Sequence, residues 1–129
     1  MNGRFILDSN IVIALFAGDQ EVQRHMSSNI EVFVSSVALG ELYYGAYKSE
    51  HIEDNLRRVK DFGQQSSVLG CDDTTADHYG QIKNLLRAKG RPIPDNDIWI
   101  AAIAKQHQLT LVSRDSHFSQ VENLSVEAW

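Results

Sequence analysis

With 129 residues, 43% hydrophobic and 22% charged, the chain has the size and balance of one ordinary globular domain, enough to bury a core. No apolar run approaches the ~20 residues that a membrane span requires, and Asp8, Ser9 and Asn10 break the apolar opening that would otherwise resemble a signal peptide. The lone cysteine, Cys71, excludes an internal disulfide and fits a reducing, cytoplasmic setting. A net charge of −5 lacks the basic footprint expected of a phosphate-binding surface. Acids that converge on one site and are neutralised by a divalent cation would remove that objection.

Strand and helix signals alternate along the chain. Residues 4–8 (RFILD) read as a short buried strand, followed by an apolar helical stretch that stops at Gly18. Residues 20–28 form a second short helix, and 31–35 (EVFVS) a strand rich in β-branched and aromatic residues. Ser35 or Ser36 is placed to cap the helix VALGELYYGAYK. Residues 50–62 carry Ile52, Leu56, Val59 and Phe62 at helical spacing, and SVLG reads as a brief strand. From Thr75 to Lys89, Ala76, Tyr79, Ile82, Leu85 and Leu86 share a helical face, with Gly90 and Pro92 as the stop. Residues 95–107 form a largely apolar helix, and 109–113 and 124–126 close the sequence as strands.

No linker or repeat interrupts this order, so residues 1–129 read as one domain. Strands separated by helices imply crossovers and a mostly parallel sheet of about five strands with helices on both faces, a three-layer α/β/α sandwich. Ligands in such sheets bind outside the carboxyl ends of the strands. Four acids fall at that edge. Asp8 ends the first strand, Glu41 lies in the helix after the second, Asp97 sits in the opening turn of PDNDIWIAA, and Asp115 follows the strand LTLVS. Three of them are set in apolar surroundings (FILD, ALGEL, NDIWIAA), where an isolated carboxylate would be desolvated and driven neutral. Carboxylates sharing a hard cation such as Mg²⁺ or Mn²⁺ resolve that conflict. Asp95 competes with Asp97, but residues two apart on a helix point about 200° away from each other. Asp95 therefore reads as an N-cap or macrodipole partner, and as an outer ligand only in the alternative.

The motifs LDSNIVIALF, SSVALGELYYGA and GRPIPDNDIWIAAIAKQHQLTLVSRDSHF, in this order from Phe5 to Phe118, resemble the PIN domain and, within it, the toxin ribonucleases of VapC type from bacterial toxin–antitoxin pairs. That resemblance implies Asp8, Glu41 and Asp97 as the principal metal-binding acids, with Asp115 at the fourth and more variable position. It implies Asn10 and Ser113 as polar residues lining the pocket, with Asn10 orienting Asp8. Relatives often carry a second acid just before the phenylalanine, where this chain has Ser116 and His117. The implied activity is hydrolysis of RNA phosphodiesters by a Mg²⁺- or Mn²⁺-dependent endonuclease. Phosphates would be positioned by basic residues near the rim, Arg114 and Arg91 being nearest in sequence. A homodimer and a cognate antitoxin that blocks the site are implied as well.

Each residue also has a plainer role to set beside these. Asp8 would serve as a helix N-cap, and Asp115 as a cap for the turn SHFSQ. His25, His51, His78 and His107 read as surface or interface residues, and His117 as structural or RNA-contacting rather than metal-ligating. Tyr43, Tyr44 and Tyr47 read as core or dimer interface ahead of base stacking. Trp99 reads as core, Cys71 as an inert small hydrophobe, and Arg57, Arg58 and Lys60 as a solvated face. Two rival functions stand beside the nuclease. A phosphatase of haloacid-dehalogenase type wants a second Asp two residues after the first, where this chain has Asn10. A catalytically inactive PIN-like RNA- or protein-binding module would normally have lost one or more of the acids that this chain keeps.

Overall fold

The computed structural model describes residues 3–129; Met1 and Asn2 lie outside the described residues. Five strands, β1 (Arg4–Leu7), β2 (Glu31–Ser35), β3 (Ser67–Leu69), β4 (Thr110–Val112) and β5 (Val126–Glu127), form one sheet in the order β3-β2-β1-β4-β5. Every neighbouring pair runs parallel. The helices are α1 (Ser9–Phe16), α2 (Gln20–Met26), α3 (Ser36–Tyr47), α4 (Ile52–Gln65), α5 (Asp73–Lys89) and α6 (Asp95–Gln106), with a 3₁₀ turn at Ser116–Gln120. None of them is long and apolar enough to cross a membrane.

The strands are short and their side chains alternate between two cores. Ile6, Phe33 and Leu111 pack with α5, α6 and Phe118 on one face of the sheet. Phe5, Leu7, Val32 and Val112 pack with α1, α2, α4 and Trp129 on the other. The register pairs Ile6 with Leu111 and Leu7 with Val112, so both layers are continuous across the central strands. Helix α3 serves both, through Ala38 on one side and Leu42 and Ala46 on the other. The result is the three-layer α/β/α sandwich that the alternation of elements implies.

The chain steps from β1 to β2 to β3 on one side, then returns past β1 to place β4 and β5 on the other. The carboxyl ends of β1 and β4 therefore flank a topological switch point, where a crevice opens in sheets of this kind. Asp8 follows β1 and Ser113 follows β4, and the Asp8 amide donates to the Val112 carbonyl at 2.9 Å.

Several local expectations are corrected. Helix α5 begins at Asp73, two residues before the expected Thr75, because Asp72 and Thr75 form a capping box worth about 1 kcal/mol. Its core face is Thr75, Ile82 and Leu86, whereas Ala76 and Leu85 are exposed. Gly90 ends it in the left-handed region at φ 67°. Helix α6 is capped by Pro94 and not by Asp95, which is its first residue. The fourth strand is shorter than 109–113 because the Leu109 amide closes α6 by donating to Ala104, after Gln108 turns left-handed at φ 56°. The last strand pairs at Val126–Glu127 and not 124–126, since Asn123 also turns left-handed, at φ 59°, and delays the pairing. Trp99 is only half-buried and stacks on Tyr79 at 4.0 Å. Cys71 is exposed and free instead of packed as a hydrophobe.

Candidate active site

Asp8 is the first functional side chain that the topology positions. It follows β1, one residue beyond the strand's end at Leu7, and caps α1, and it is only 4% exposed. Its Oδ1 accepts from the Ser9 amide at 2.8 Å, and its Oδ2 accepts from the Ser113 hydroxyl at 2.8 Å and the Asn10 amide at 3.3 Å. Burial raises its pKa; the Ser113 and Ser9 hydrogen bonds oppose this, and the charges of Asp97 and Asp115 add to it. The plain capping role is thus present, yet it leaves the carboxylate desolvated among other acids.

Ser113, 3% exposed, joins the two central strands at this edge. Besides donating to Asp8, it accepts from the Asp115 amide at 3.0 Å and from Asn10 at 3.3 Å. Asn10 also accepts from the Arg114 amide at 3.3 Å. Asn10 therefore bridges Asp8 and Ser113, and the same two polar residues set the path of the loop that carries Asp115.

Asp97 enters from the opening turn of α6 and is 8% exposed. Its pKa is raised, first by burial and then by Asp115, against the lowering influence of His117. Asp95 is directed elsewhere. Its Oδ1 accepts from the Tyr79 hydroxyl at 2.9 Å and from Lys83 at 3.1 Å, both on α5. The 200° rule separates the two aspartates as the sequence suggests.

Glu41 lies in the second turn of α3. Its Oε1 is the buried side-chain oxygen left without a hydrogen-bond partner among the described residues. Burial raises its pKa, and repulsion from Asp8 and then Asp97 adds to it, while hydrogen bonding from Ser9 and Asn96 lowers it. An unpartnered buried carboxylate oxygen beside two other acids is expensive, and only a cation or a proton relieves it.

Asp115 caps the 3₁₀ turn by accepting from the His117 amide at 2.9 Å, as its plainer role requires. The same turn brings the His117 ring back over the acids. Its Nδ1 lies 2.9 Å from Asp97 Oδ2 and 3.0 Å from Asp115 Oδ1. Asp97 first, with further contributions from the charges of Asp115 and Asp8, raises the imidazole pKa. The sequence puts His117 near the site and reads it as structural or RNA-contacting rather than metal-ligating; the structure sets its ring directly against Asp97 and Asp115. The available signal was its position two residues after Asp115, which lets the ring fold back in a tight turn.

Arg114 is held differently from the expectation. Its Nε donates to the Trp129 carbonyl at 2.7 Å and its guanidinium pairs with Asp19 at 2.9 Å. Its main-chain amide meets Asn10, the neighbour of Asp8, and not an acid. Arg91 is exposed in the loop after α5.

The donors at this edge are thus four carboxylates and one imidazole, of which Asp97, Asp115 and His117 offer ligand atoms all within 4.8 Å of one another. Such a set fits a divalent cation with oxygen preference.

Comparisons with known proteins identify the family. The family model of the PIN domain matches residues 5–124. The chain is a member of the PIN domain family. Within that family it is 38% identical over 129 residues to a protein of Haemophilus influenzae named Ribonuclease VapC2, covering 98% of both chains. It is 36% identical to the tRNA(fMet)-specific endonuclease VapC of Shigella flexneri, again over 98% of each. Among solved structures, VapBC2 from Rickettsia felis bound to a DNA fragment from its promoter superposes with a TM-score of 0.90 at 27% identity, covering 98% of both chains. The PIN fold therefore extends over nearly the whole sequence.

Proposed function

We propose that this chain, as one PIN-like domain over residues 1–129, is a Mg²⁺- or Mn²⁺-dependent endoribonuclease acting as the toxin of a toxin–antitoxin pair. The observation that carries the reading is the convergence of Asp8, Glu41, Asp97 and Asp115 on the switch point, with Glu41 Oε1 buried and unpartnered. Asp8, Asp97, Glu41 and Asp115 would hold the cation. When bound, it supplies activation of water and neutralisation of charge developing on the phosphate.

The chain's own residues account for the rest. Ser113 and Asn10 fix the Asp8 carboxylate through the hydrogen bonds described above, so the acid is preorganised and need not be ordered during reaction. Glu41 has a raised pKa and a carboxylate oxygen, Oε1, without a hydrogen-bond partner among the described residues. It is suited to accept the proton of the attacking water at a carboxylate oxygen. Arg114 supports the loop of Asp115 from below, and phosphate contact falls to exposed bases at the rim such as Arg91.

The named relatives support a cognate antitoxin as partner. An apolar groove between α1, α3 and α4, a cavity of about 350 Å³ lined by Ile13, Phe16, Leu42, Val59 and Arg58, includes Glu41 in its wall. A partner segment seated there would cover Glu41. Tyr44 and Tyr47, 66% and 62% exposed on α3, provide apolar surface for a homodimer.

The test is cleavage of labelled structured and unstructured RNAs with Mg²⁺, Mn²⁺ or EDTA, beside Asp8→Ala. Cleavage that vanishes in both EDTA and the variant is the expected result. Cleavage that survives in the variant would place the active centre elsewhere, and no cleavage by folded, inhibitor-free protein would favour a binding module.

A further inference from the structure

We infer that the cation site of this chain includes His117 Nδ1 as a ligand beside Asp97 and Asp115, giving a mixed oxygen–nitrogen site that favours Mn²⁺ over Mg²⁺. The inference rests on the reading that the acids hold a divalent cation, and it names a ligand beyond them. Its basis is the geometry of three atoms contributed by two separate elements. Nδ1 lies 2.9 Å from Asp97 Oδ2 and 3.0 Å from Asp115 Oδ1. Adjacent corners of an octahedron with bonds of about 2.1 Å are about 3.0 Å apart. Both spacings therefore suit Nδ1 on a corner adjacent to each acid as well as they suit hydrogen bonds in the free protein, and all three ligand atoms lie within 4.8 Å of one another.

The ring is also held in place. The His117 main-chain amide donates to the same Asp115 oxygen at 2.9 Å, which fixes the start of the 3₁₀ turn. The next residue, Phe118, is fully buried and anchors the turn from the other side. The imidazole is thus presented to the acids by its backbone, with its outer edge facing solvent. Histidine ligation has a chemical consequence. Mg²⁺ binds oxygen almost exclusively and dehydrates reluctantly, whereas first-row transition ions accept an imidazole nitrogen. Replacing an oxygen donor by nitrogen tilts the site toward Mn²⁺.

The experiment uses the intact chain, freed of metal, with Mn²⁺ and Mg²⁺ as probes. Calorimetry measures both dissociation constants for the native chain and for His117→Ala, and pulsed electron paramagnetic resonance of the Mn²⁺ complex reads directly bound nitrogen. The expected results are a nitrogen coupling in the native complex that is absent in His117→Ala, and a tenfold or greater loss of Mn²⁺ affinity with Mg²⁺ affinity changed less than threefold. The side chain is half exposed, so the variant keeps its fold, which circular dichroism checks. Mn²⁺ bound without nitrogen coupling, coupling that persists in His117→Ala, or equal losses for both ions would overturn the inference while leaving the acid site standing. Failure of the native chain to bind either ion, or Mn²⁺ affinity unchanged in Asp97→Asn, would overturn the acid site itself and this inference with it.

Discussion

At the start of α5, Asp72 accepts from the Thr75 amide at 3.0 Å and from the Gln106 side chain at 3.0 Å, and the buried Thr75 hydroxyl sits between Asp72 and Gln106. At the carboxyl edge of β1 and β4, Asp8 accepts from Ser9, Ser113 and Asn10 in a similar arrangement of carboxylate, hydroxyl and amide. The outcomes are opposite. Hydrogen bonds hold the Asp72 carboxyl below its ordinary range, led by those from Thr75. Burial raises Asp8, Glu41 and Asp97, and mutual repulsion adds to it. The difference lies in company and solvent. Asp72 is an exposed acid whose neighbours all donate, and it ties α5 to α6. Asp8 is a buried acid whose neighbours include three more carboxylates, so hydrogen bonds that would suffice elsewhere do not settle it. One cluster stabilises the fold, and the other holds unfavourable charge ready for a ligand.

The sharpest way to break that contrast is to remove one polar side chain from each place. Asp97→Ala should lower RNA cleavage roughly a hundredfold or more, the scale of losing a preorganised charge-stabilising group. Thr75→Val should leave the rate within about twofold at saturating substrate, a bound set by its lack of differential contact with the transition state. Single-turnover kinetics on one labelled RNA measures both, and comparable losses would erase the distinction.

Metal should act on one cluster only. A divalent ion at a hundred times its dissociation constant adds about 2.7 kcal/mol to folding stability, or roughly 8 °C in melting temperature for a domain of this size. Asp97→Asn should lose most of that rise. Without metal, the two clusters should give opposite pH slopes. Asp8, Glu41 and Asp97 have raised folded pKa values, so above the ordinary carboxylate range the folded state holds more protons than the unfolded one. Their contribution to stability therefore falls as pH rises from that range through the folded values. Asp72, with a lowered pKa, contributes stability above its ordinary value of 3.8 that is lost as pH falls through its folded value. Melting in EDTA across pH, with Asp8→Asn alongside, should show the upper slope flatten in the variant.

Smaller effects follow at the structural cluster. Thr75→Val keeps the shape but removes the hydroxyl from a fully buried position, at a cost of about 1 kcal/mol in urea unfolding. Smallest of all, Asp95→Asn should leave cleavage and metal affinity unchanged, because its partners are Tyr79 and Lys83 on the exterior. A loss of metal binding there would restore Asp95 as a ligand.

Much of this was legible before any coordinates. Strand β2 matches residues 31–35 because its β-branched run is bounded on both sides, and Ser35 caps α3 by accepting from the Ala38 amide. Asp8, Glu41, Asp97 and Asp115 stand out in the sequence because a carboxylate in an apolar run, or directly after a strand, needs a reason. What was not legible depends on contacts between segments far apart in the chain. His117 meets Asp97 across twenty positions, and Arg114 meets Asp19 across ninety-five. Local periodicity carries no information about either pair. Trp99 looked like core because its sequence neighbours are isoleucines, yet Ile98 and Ile100 turn inward while the indole lies on Tyr79 at the rim.

The hydrogen bond from Ser113 to Asp8 joins residues 105 positions apart. A chain emerging from the ribosome can complete β1, α1 and α3 early, but it has no Ser113 to orient Asp8 until β4 is made, and no Asp115 until the loop beyond. The Arg114 contact with Trp129 places the last support later still. Contacts of such long range form late in folding. A partly synthesised chain therefore holds its acids without the arrangement that would make them harmful, and the cutting edge is assembled only after the segment from Ser113 to Trp129 is present.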